Sequence, residues 1–243
     1  MDKKYPQEKY ERMTLPSPIC RMGMGAEVQK LEQALLDKLD GLHVMMMGDN
    51  PDLLGMPNKP ELLDFYKYRF EGITRNHLLA SAKHAMDEGE DEKIVMAIML
   101  HDISNACLIR VDHGYWGAQL IAPYVSEEIA WAVKYHQALR FYADEAVGYP
   151  YPESYDMFFG PDYIPPEYIR QDAEYAKNHE WYMSARLVTM YDKYFFDDDA
   201  EVDPDIFTDI VARNFKQPKE GLGFDNSPSA HMWRTMIWPN KFL

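Results

Sequence analysis

An all-α fold is what this sequence predicts, and three observations predict it. Apolar residues recur at three- and four-residue intervals in one segment after another, as in Val28, Leu31, Leu35, Leu39 and Leu42, which is the period of a helix with one buried face. Between these segments stand the residues that begin and end helices, Asn, Ser, Asp and Pro before them and Gly after them. No stretch of useful length alternates apolar and polar residues as a half-buried strand does, and there is no internal repeat or glycine-rich phosphate loop.

The elements follow in order. Residues 1–24 carry Pro6, Pro16 and Pro18 among charges and read as an extended arm. A helix begins at Ala26 and ends near Gly41, and the run Met45-Met46-Met47 after it reads as gap-filling core. The turn-rich stretch from Gly48 to Pro60 leads to a helix over about Glu61 to Glu71, with Pro60 well placed at its start. Thr74 caps the next helix, which carries His77 and ends at Gly89. From about Asp91 to Asn105 a nearly all-apolar helix, Ile94 to Leu100 at its heart, reads as central and buried, and it delivers His101 and Asp102.

His113 opens a short helix that Pro123 stops, and Ser126 with Glu127 and Glu128 starts another running past His136. Residues 141–165 carry Tyr142, Tyr149, Tyr151, Tyr155, Phe158, Phe159 and Tyr163 among glycines and prolines, too long a loop to be a plain connector and suited to roof a site. Helices over about Pro166 to Lys177 and Trp181 to Phe195 come next. Asp203-Pro204 then caps a last helix to Phe215. The tail, with Trp233 and Trp238, packs on the body or on a second subunit of a homodimer. The division expected is an N-terminal arm and helix over 1–60, the main helical domain over 61–215 and a C-terminal tail over 216–243.

Composition narrows the partners. The 243 residues, 47% of them hydrophobic, are enough for one substantial domain. A balance of 25 Lys and Arg against 40 Asp and Glu gives a net charge of −15, which argues against a nucleic-acid partner because neutralising phosphates takes clustered cations. Two cysteines, Cys20 and Cys107, are too few for a disulfide framework. The charged first thirty residues lack the apolar core of a signal peptide, and the run Ile94 to Leu100 is far short of the roughly 18–20 residues of a membrane span. A cytoplasmic protein with no membrane partner is expected.

The chemistry gathers at Leu100-His101-Asp102-Ile103. Adjacent residues on a helix lie roughly 100° apart, so this His and Asp can serve two neighbouring metal ions, one through imidazole and the other through a bridging carboxylate. His77 precedes the pair, while His113, His136 and Asp192 follow it. On long apolar helices an unpaired polar group costs about 1–3 kcal/mol, so these side chains call for a partner, and a metal satisfies them together. Imidazole and carboxylate without cysteine suit iron, manganese, nickel or zinc.

Over about residues 66–196 this set resembles the HD-domain superfamily, whose hallmark is a split histidine, the His-Asp pair and a late aspartate on a helical bundle. With His113-Gly-Tyr-Trp-Gly117-Ala118 and His136 it is more narrowly similar to the dinuclear branch. The resemblance implies an HD-domain bundle with N- and C-terminal extensions. It also implies His77, His101, Asp102 and Asp192 on one metal and Asp102, His113 and His136 on the other, with Asp102 bridging.

That branch holds both phosphohydrolases and mixed-valent diiron oxygenases of the phosphonate-cleaving and myo-inositol oxygenase type. Tyr68-x-x-Glu71 is similar to a Tyr-x-x-Glu pair that forms a lid over the open iron position in the phosphonate-cleaving oxygenases. Arg140, one turn after His136, is similar to the basic residue that holds the substrate's anionic group, with Asn105 and Tyr68 nearby. His179 resembles a recurring family histidine of structural role. The chain departs from the pattern at Ser104-Asn105, where many relatives have Gly and then Lys or His. It departs again at Thr189, where the phosphonate oxygenases place an arginine, and Arg186 is turned too far around the helix from Asp192 to replace it.

The expectation is therefore an oxygenase that uses two iron ions, Fe(II)/Fe(III), and O2 on a small polar or anionic substrate, with Tyr68, Glu71 and Asn105 as catalytic residues. A phosphohydrolase with manganese, nickel or zinc is the alternative, and a non-catalytic HD scaffold the third reading.

Overall fold

A computed structural model describes residues 55–70, 72–106, 112–153, 155, 159–160, 162–192 and 201–237. The predicted helix from Ala26, the methionine run, Glu71, both cysteines and Trp238 lie outside the described residues. The protein is all-α: among the described residues no strand forms, and a single antiparallel bridge joins Asp144 to Tyr149.

The helices are α1 (Leu62–Tyr68), α2 (Gly72–Asp87), α3 (Glu92–Leu100), α4 (Ile103–Ala106), α5 (His113–Ile121), α6 (Glu127–Leu139), α7 (Glu167–Lys177), α8 (Tyr182–Tyr191), α9 (Thr208–Asn214) and α10 (Ala230–Ile237). Short 3-10 turns cover Glu145–Val147 and Pro204–Phe207. No helix is long and apolar enough to cross a membrane among the described residues.

Helix α3 runs through the centre, as its composition predicts. All seven residues from Ile94 to Leu100 are buried, so beyond its solvent-exposed first turn no face of this helix is left to water and its C-terminal end opens into packed interior. Asp91 starts it by accepting a hydrogen bond from the Lys93 amide at 2.8 Å. Helix α6 is the hub, packing on α3, α5, α7 and α8, and Ser126 caps it by accepting from the Ile129 amide. Its partner α5 comes very close. A Cβ on Gly114 would lie 2.7 Å from the Lys134 carbonyl oxygen and 2.9 Å from that of Val133, so only glycine lets the two helices cross at this distance.

Several expected boundaries shift. Thr74 does not cap α2, because the helix already starts at Gly72 and the threonine lies in its first turn; propensity signals of this kind fix an end only to a residue or two. The first helix stops at Tyr68, since Arg69 leaves helical geometry and its guanidinium donates to the Met236 carbonyl at 2.9 Å, fastening α1 to α10. The central helix does not continue to Asn105. It breaks at His101 and Asp102, which form a turn before α4. Helix α8 ends at Tyr191, leaving Asp192 as its C-cap.

The tail contributes a helix, α10, that no sequence signal marked. Of its two predicted positions, on the body or on a second subunit, the structure shows the first for residues up to Ile237. Trp233 is fully buried with its ring 4.9 Å from that of Phe65, and its indole N–H donates to the Leu120 carbonyl at 3.1 Å.

Candidate metal centre

Six side chains meet, His77 from the body of its helix and the other five from helix ends and the turns beside them. His77 comes from α2, His101 and Asp102 from the turn after α3, His113 from the first position of α5, His136 from the last turn of α6 and Asp192 from the cap of α8. All six are buried. The turn is what makes the pair useful, because an interrupted helix lets His101 and Asp102 both face the cluster. It is closed by the His101 amide donating back three residues to Ile98 at 3.4 Å and by the Asn105 amide donating to the Asp102 carbonyl at 2.9 Å.

The imidazoles are set by their own helices. His101 donates from Nδ1 to the Ile98 carbonyl at 2.7 Å, and His136 donates from Nδ1 to the Val133 carbonyl at 2.6 Å. A carbonyl can only accept, so Nδ1 carries a proton in both rings and Nε2 is the atom offered to the cluster. Around that centre His77 Nε2 and His101 Nε2 lie 3.1 Å apart, and His113 Nε2 and His136 Nε2 lie 3.2 Å apart. Two nitrogens each about 2.05 Å from one ion would be separated by roughly 2.9 Å at a right angle and roughly 3.3 Å at a tetrahedral angle. Both pairs fall in that window.

The carboxylates fit the same picture. Asp192 Oδ1 is 3.1 Å from His77 Nε2 and 3.5 Å from His101 Nε2. Asp102 Oδ1 is 3.2 Å from His113 Nε2, 3.8 Å from His101 Nε2 and 3.9 Å from His136 Nε2, so it stands between the two histidine pairs. Both oxygens are buried and accept no well-formed hydrogen bond. A buried carboxylate oxygen in that condition is costly unless a cation faces it.

Two groups have ligand atoms close enough to hold a metal ion, His77, His101 and Asp192 in one and His101, Asp102 and His136 in the other. His113 adjoins the second. The arrangement can therefore bind metal through nitrogen and oxygen donors, which suits borderline and harder transition ions.

Electrostatics say how the cluster stands without a cation. Burial disfavours charge on His101, but the facing carboxylates of Asp102 and Asp192 outweigh it and hold its pKa up at about 9. For Asp192 burial works the other way, yet His101 and His77 hold its pKa well below the ordinary carboxylate range, and His101 and His113 lower that of Asp102 against the same burial. Burial keeps His136 well below its usual value, helped by the neighbouring His101 and His113. Burial likewise lowers His113, with Arg140 adding to the effect and Asp102 opposing it. A proton on His101 between two carboxylates is thus the metal-free counterpart of a bound cation.

Arg140 is the C-cap of α6, one turn after His136, and its charge adds to the lowering of the His113 pKa. Its guanidinium carbon is 4.9 Å from the ring centre of Phe141 and 5.6 Å from those of Tyr155 and Phe159. Through Tyr155 and Phe159 the described part of the aromatic loop packs on Arg140. Asn105, one turn beyond Asp102, has its amide oxygen buried with no hydrogen-bond donor facing it. Tyr68 is half-buried on the hydrophobic core at the end of α1, and no hydrogen bond, ion pair or ring contact joins it to the described residues of the cluster. Its partner in the predicted lid, Glu71, lies outside the described residues. His179 stacks on Trp131 with ring centres 4.3 Å apart and belongs to an aromatic layer with Tyr175 and Trp181.

Sequence reasoning missed the supports of the site. Ser104 donates to the His113 carbonyl at 3.1 Å and Gln137 accepts from the Gly114 amide at 3.0 Å, which together anchor the start of α5. Arg186 is fully buried and donates to the Leu139 carbonyl, the Tyr142 carbonyl and the Tyr182 hydroxyl at 3.0–3.1 Å. It ties down the end of the helix that carries His136 and Arg140, and its position on the inward face of α8 was its only sequence signal.

No protein-family model matches the chain, and no curated protein is significantly similar to it.

Proposed function

We propose that this protein is a dinuclear metal enzyme of the HD type that uses two irons, as a mixed-valent pair, and O2 to oxidise a small anionic or polyhydroxylated substrate in the cytoplasm. The observation that carries the reading is the convergence of four imidazole nitrogens and two buried carboxylate oxygens at spacings that suit shared cations. His77, His101 and Asp192 would hold one ion and His113 and His136 the other, with Asp102 reaching both. Such a pair supplies one-electron redox steps and a Lewis-acidic anchor for a substrate oxygen.

The chain's own residues do the rest. Ile98 and Val133 hold two ligand rings in a fixed tautomer and orientation, so little reorganises when a ligand binds. Arg140 receives the anionic group by charge-assisted hydrogen bonds, and the rings of Phe141, Tyr155 and Phe159 lie against its guanidinium and support it. The four histidines and the Tyr68-x-x-Glu71 pair, through their resemblance to the oxygenases, favour oxidation over hydrolysis. Asn105 lies within the same turn as Asp102 and is assigned to the substrate, while Tyr68 and Glu71 keep the lid role that the resemblance implies.

Elemental analysis of protein made with iron should give close to two metals per chain, and Asp102→Ala should lose most of them. Partly reduced protein should show the electron paramagnetic resonance signal of a coupled Fe(II)/Fe(III) pair, altered by substrate, with O2 consumed on turnover. Arg140→Ala should weaken substrate binding about 10- to 100-fold, as expected for one lost charge-assisted interaction. Phosphatase activity with manganese or nickel in the absence of O2, together with no mixed-valent signal, would assign the protein to the hydrolases instead.

A further inference from the structure

Asp192 has two carboxylate oxygens with different surroundings. Its side chain is fully buried, and Oδ1 alone faces His77 and His101. The donor to Oδ2 among the described residues is the hydroxyl of Tyr155, at 3.5 Å, the long limit of a hydrogen bond. Tyr155 is itself buried, far along the chain from the helices that supply the ligands, and it arrives from the aromatic loop. From the same loop, the Tyr149 hydroxyl donates to the Arg140 carbonyl at 3.1 Å. The loop thus touches the site at two points, the Asp192 carboxylate through Tyr155 and the backbone of Arg140 through Tyr149. The Tyr155 ring supports the Arg140 guanidinium as well.

We propose that Tyr155 is a positioning residue that holds Asp192 Oδ2 away from the metal, so that Asp192 binds the ion shared with His77 and His101 through Oδ1 alone. The physical basis is that a buried carboxylate oxygen keeps whatever donor it has, because losing it costs the desolvation of that oxygen. With the hydroxyl gone, Oδ2 is free to swing toward the ion or to turn away with Oδ1, and either motion changes how the ion is held. Partners that orient a ligand in this way commonly contribute about 10- to 100-fold in metal affinity. The inference rests on the metal-centre reading but not on which reaction the centre catalyses.

The test is a titration of metal-free protein with Mn(II) in competition with a chelator, comparing wild type with Tyr155→Phe, which removes one oxygen and keeps the buried ring. The expected result is that one of the two ions binds about 10-fold or more weakly while the other stays within twofold. The environment of that ion, read from the paramagnetic resonance spectrum of bound Mn(II), should change as well. Thermal melts of the two metal-free proteins should agree within a few degrees, which separates lost positioning from lost folding. Equal affinities for both ions in the two proteins would overturn the role of Tyr155, as would equal weakening of both ions. Wild-type protein that binds no ion at all would overturn the metal-centre reading and this inference with it, so the two failures are told apart by the wild-type titration alone.

Discussion

The sharpest consequence of the packing is at Gly114, where one added methyl group should separate two histidine ligands. A Cβ there would meet the Lys134 and Val133 carbonyl oxygens at 2.7 and 2.9 Å, where ordinary contact begins at 3.4 Å. The shortfalls are 3.4 − 2.7 = 0.7 Å and 3.4 − 2.9 = 0.5 Å. Both neighbours are backbone in the middle of α6, so they cannot rotate aside and the helices must part by about that distance. Overpacking of this kind costs about 1–3 kcal/mol, or roughly 2–10 °C in the melting temperature of a chain this size.

The displacement matters more than the energy. His113 adjoins Gly114, and its Nε2 lies 3.2 Å from both His136 Nε2 and Asp102 Oδ1, so a shift of about half an ångström takes it out of bonding range of a shared ion. Gly114→Ala should therefore melt lower and retain markedly less than two metals per chain. Gly117→Ala is the internal control. It lies one turn on along the same helix, its added Cβ would find atoms no nearer than 3.4 Å, and the better helix propensity of alanine should leave stability unchanged or raised by up to about 1 kcal/mol. The assays are scanning calorimetry of the metal-free proteins and elemental analysis after reconstitution. Gly114→Ala with wild-type melting temperature and full metal content would refute the close-crossing argument.

Other outcomes follow from the same geometry. Arg186→Met should destabilise by about 1–3 kcal/mol in urea unfolding, because it leaves the buried Leu139 carbonyl and the part-buried Tyr142 carbonyl without their donor; a loss under 0.5 kcal/mol would mean that these groups find other partners. Metal uptake at pH 7 should release protons, since His101 is held protonated up to about 9 in the metal-free cluster, and calorimetric binding enthalpies that do not vary with the buffer's ionisation enthalpy would contradict it. The metal-free protein should also have a stability maximum near pH 6.5. His101, raised above its unfolded value of 6.5, contributes stability that is lost as pH rises toward about 9. His113 and His136 are lowered, so their unfolded forms take up protons first and stability falls as pH drops below 6.5. A melting temperature that climbs steadily from pH 6 to 9 would count against this assignment of charge.

The sequence by itself determined the fold class, the buried centre and the identity of the six candidate ligands. Ile94 to Leu100 has no polar face, so it had to be interior whatever surrounded it, and His101 and Asp102 at its end had to be interior with it. Asp91 and Ser126 could be recognised as caps because a cap is a local bargain between one side chain and an amide two or three residues on. What the sequence left open is what depends on separate segments meeting. The break after Leu100 is invisible in a run of helix-forming residues. Arg186 looked merely misplaced relative to Asp192 because its partners, the carbonyls of Leu139 and Tyr142, belong to the end of another helix and the turn beyond it. The approach of Tyr155 to Asp192 crosses 37 residues, and no periodicity encodes a contact of that range. Gly114 differs from Gly117 only in what stands opposite. Local hydrogen bonding and burial are written into neighbouring residues, whereas close crossings and buried polar partners arise only when the chain has folded and brings distant backbone within reach.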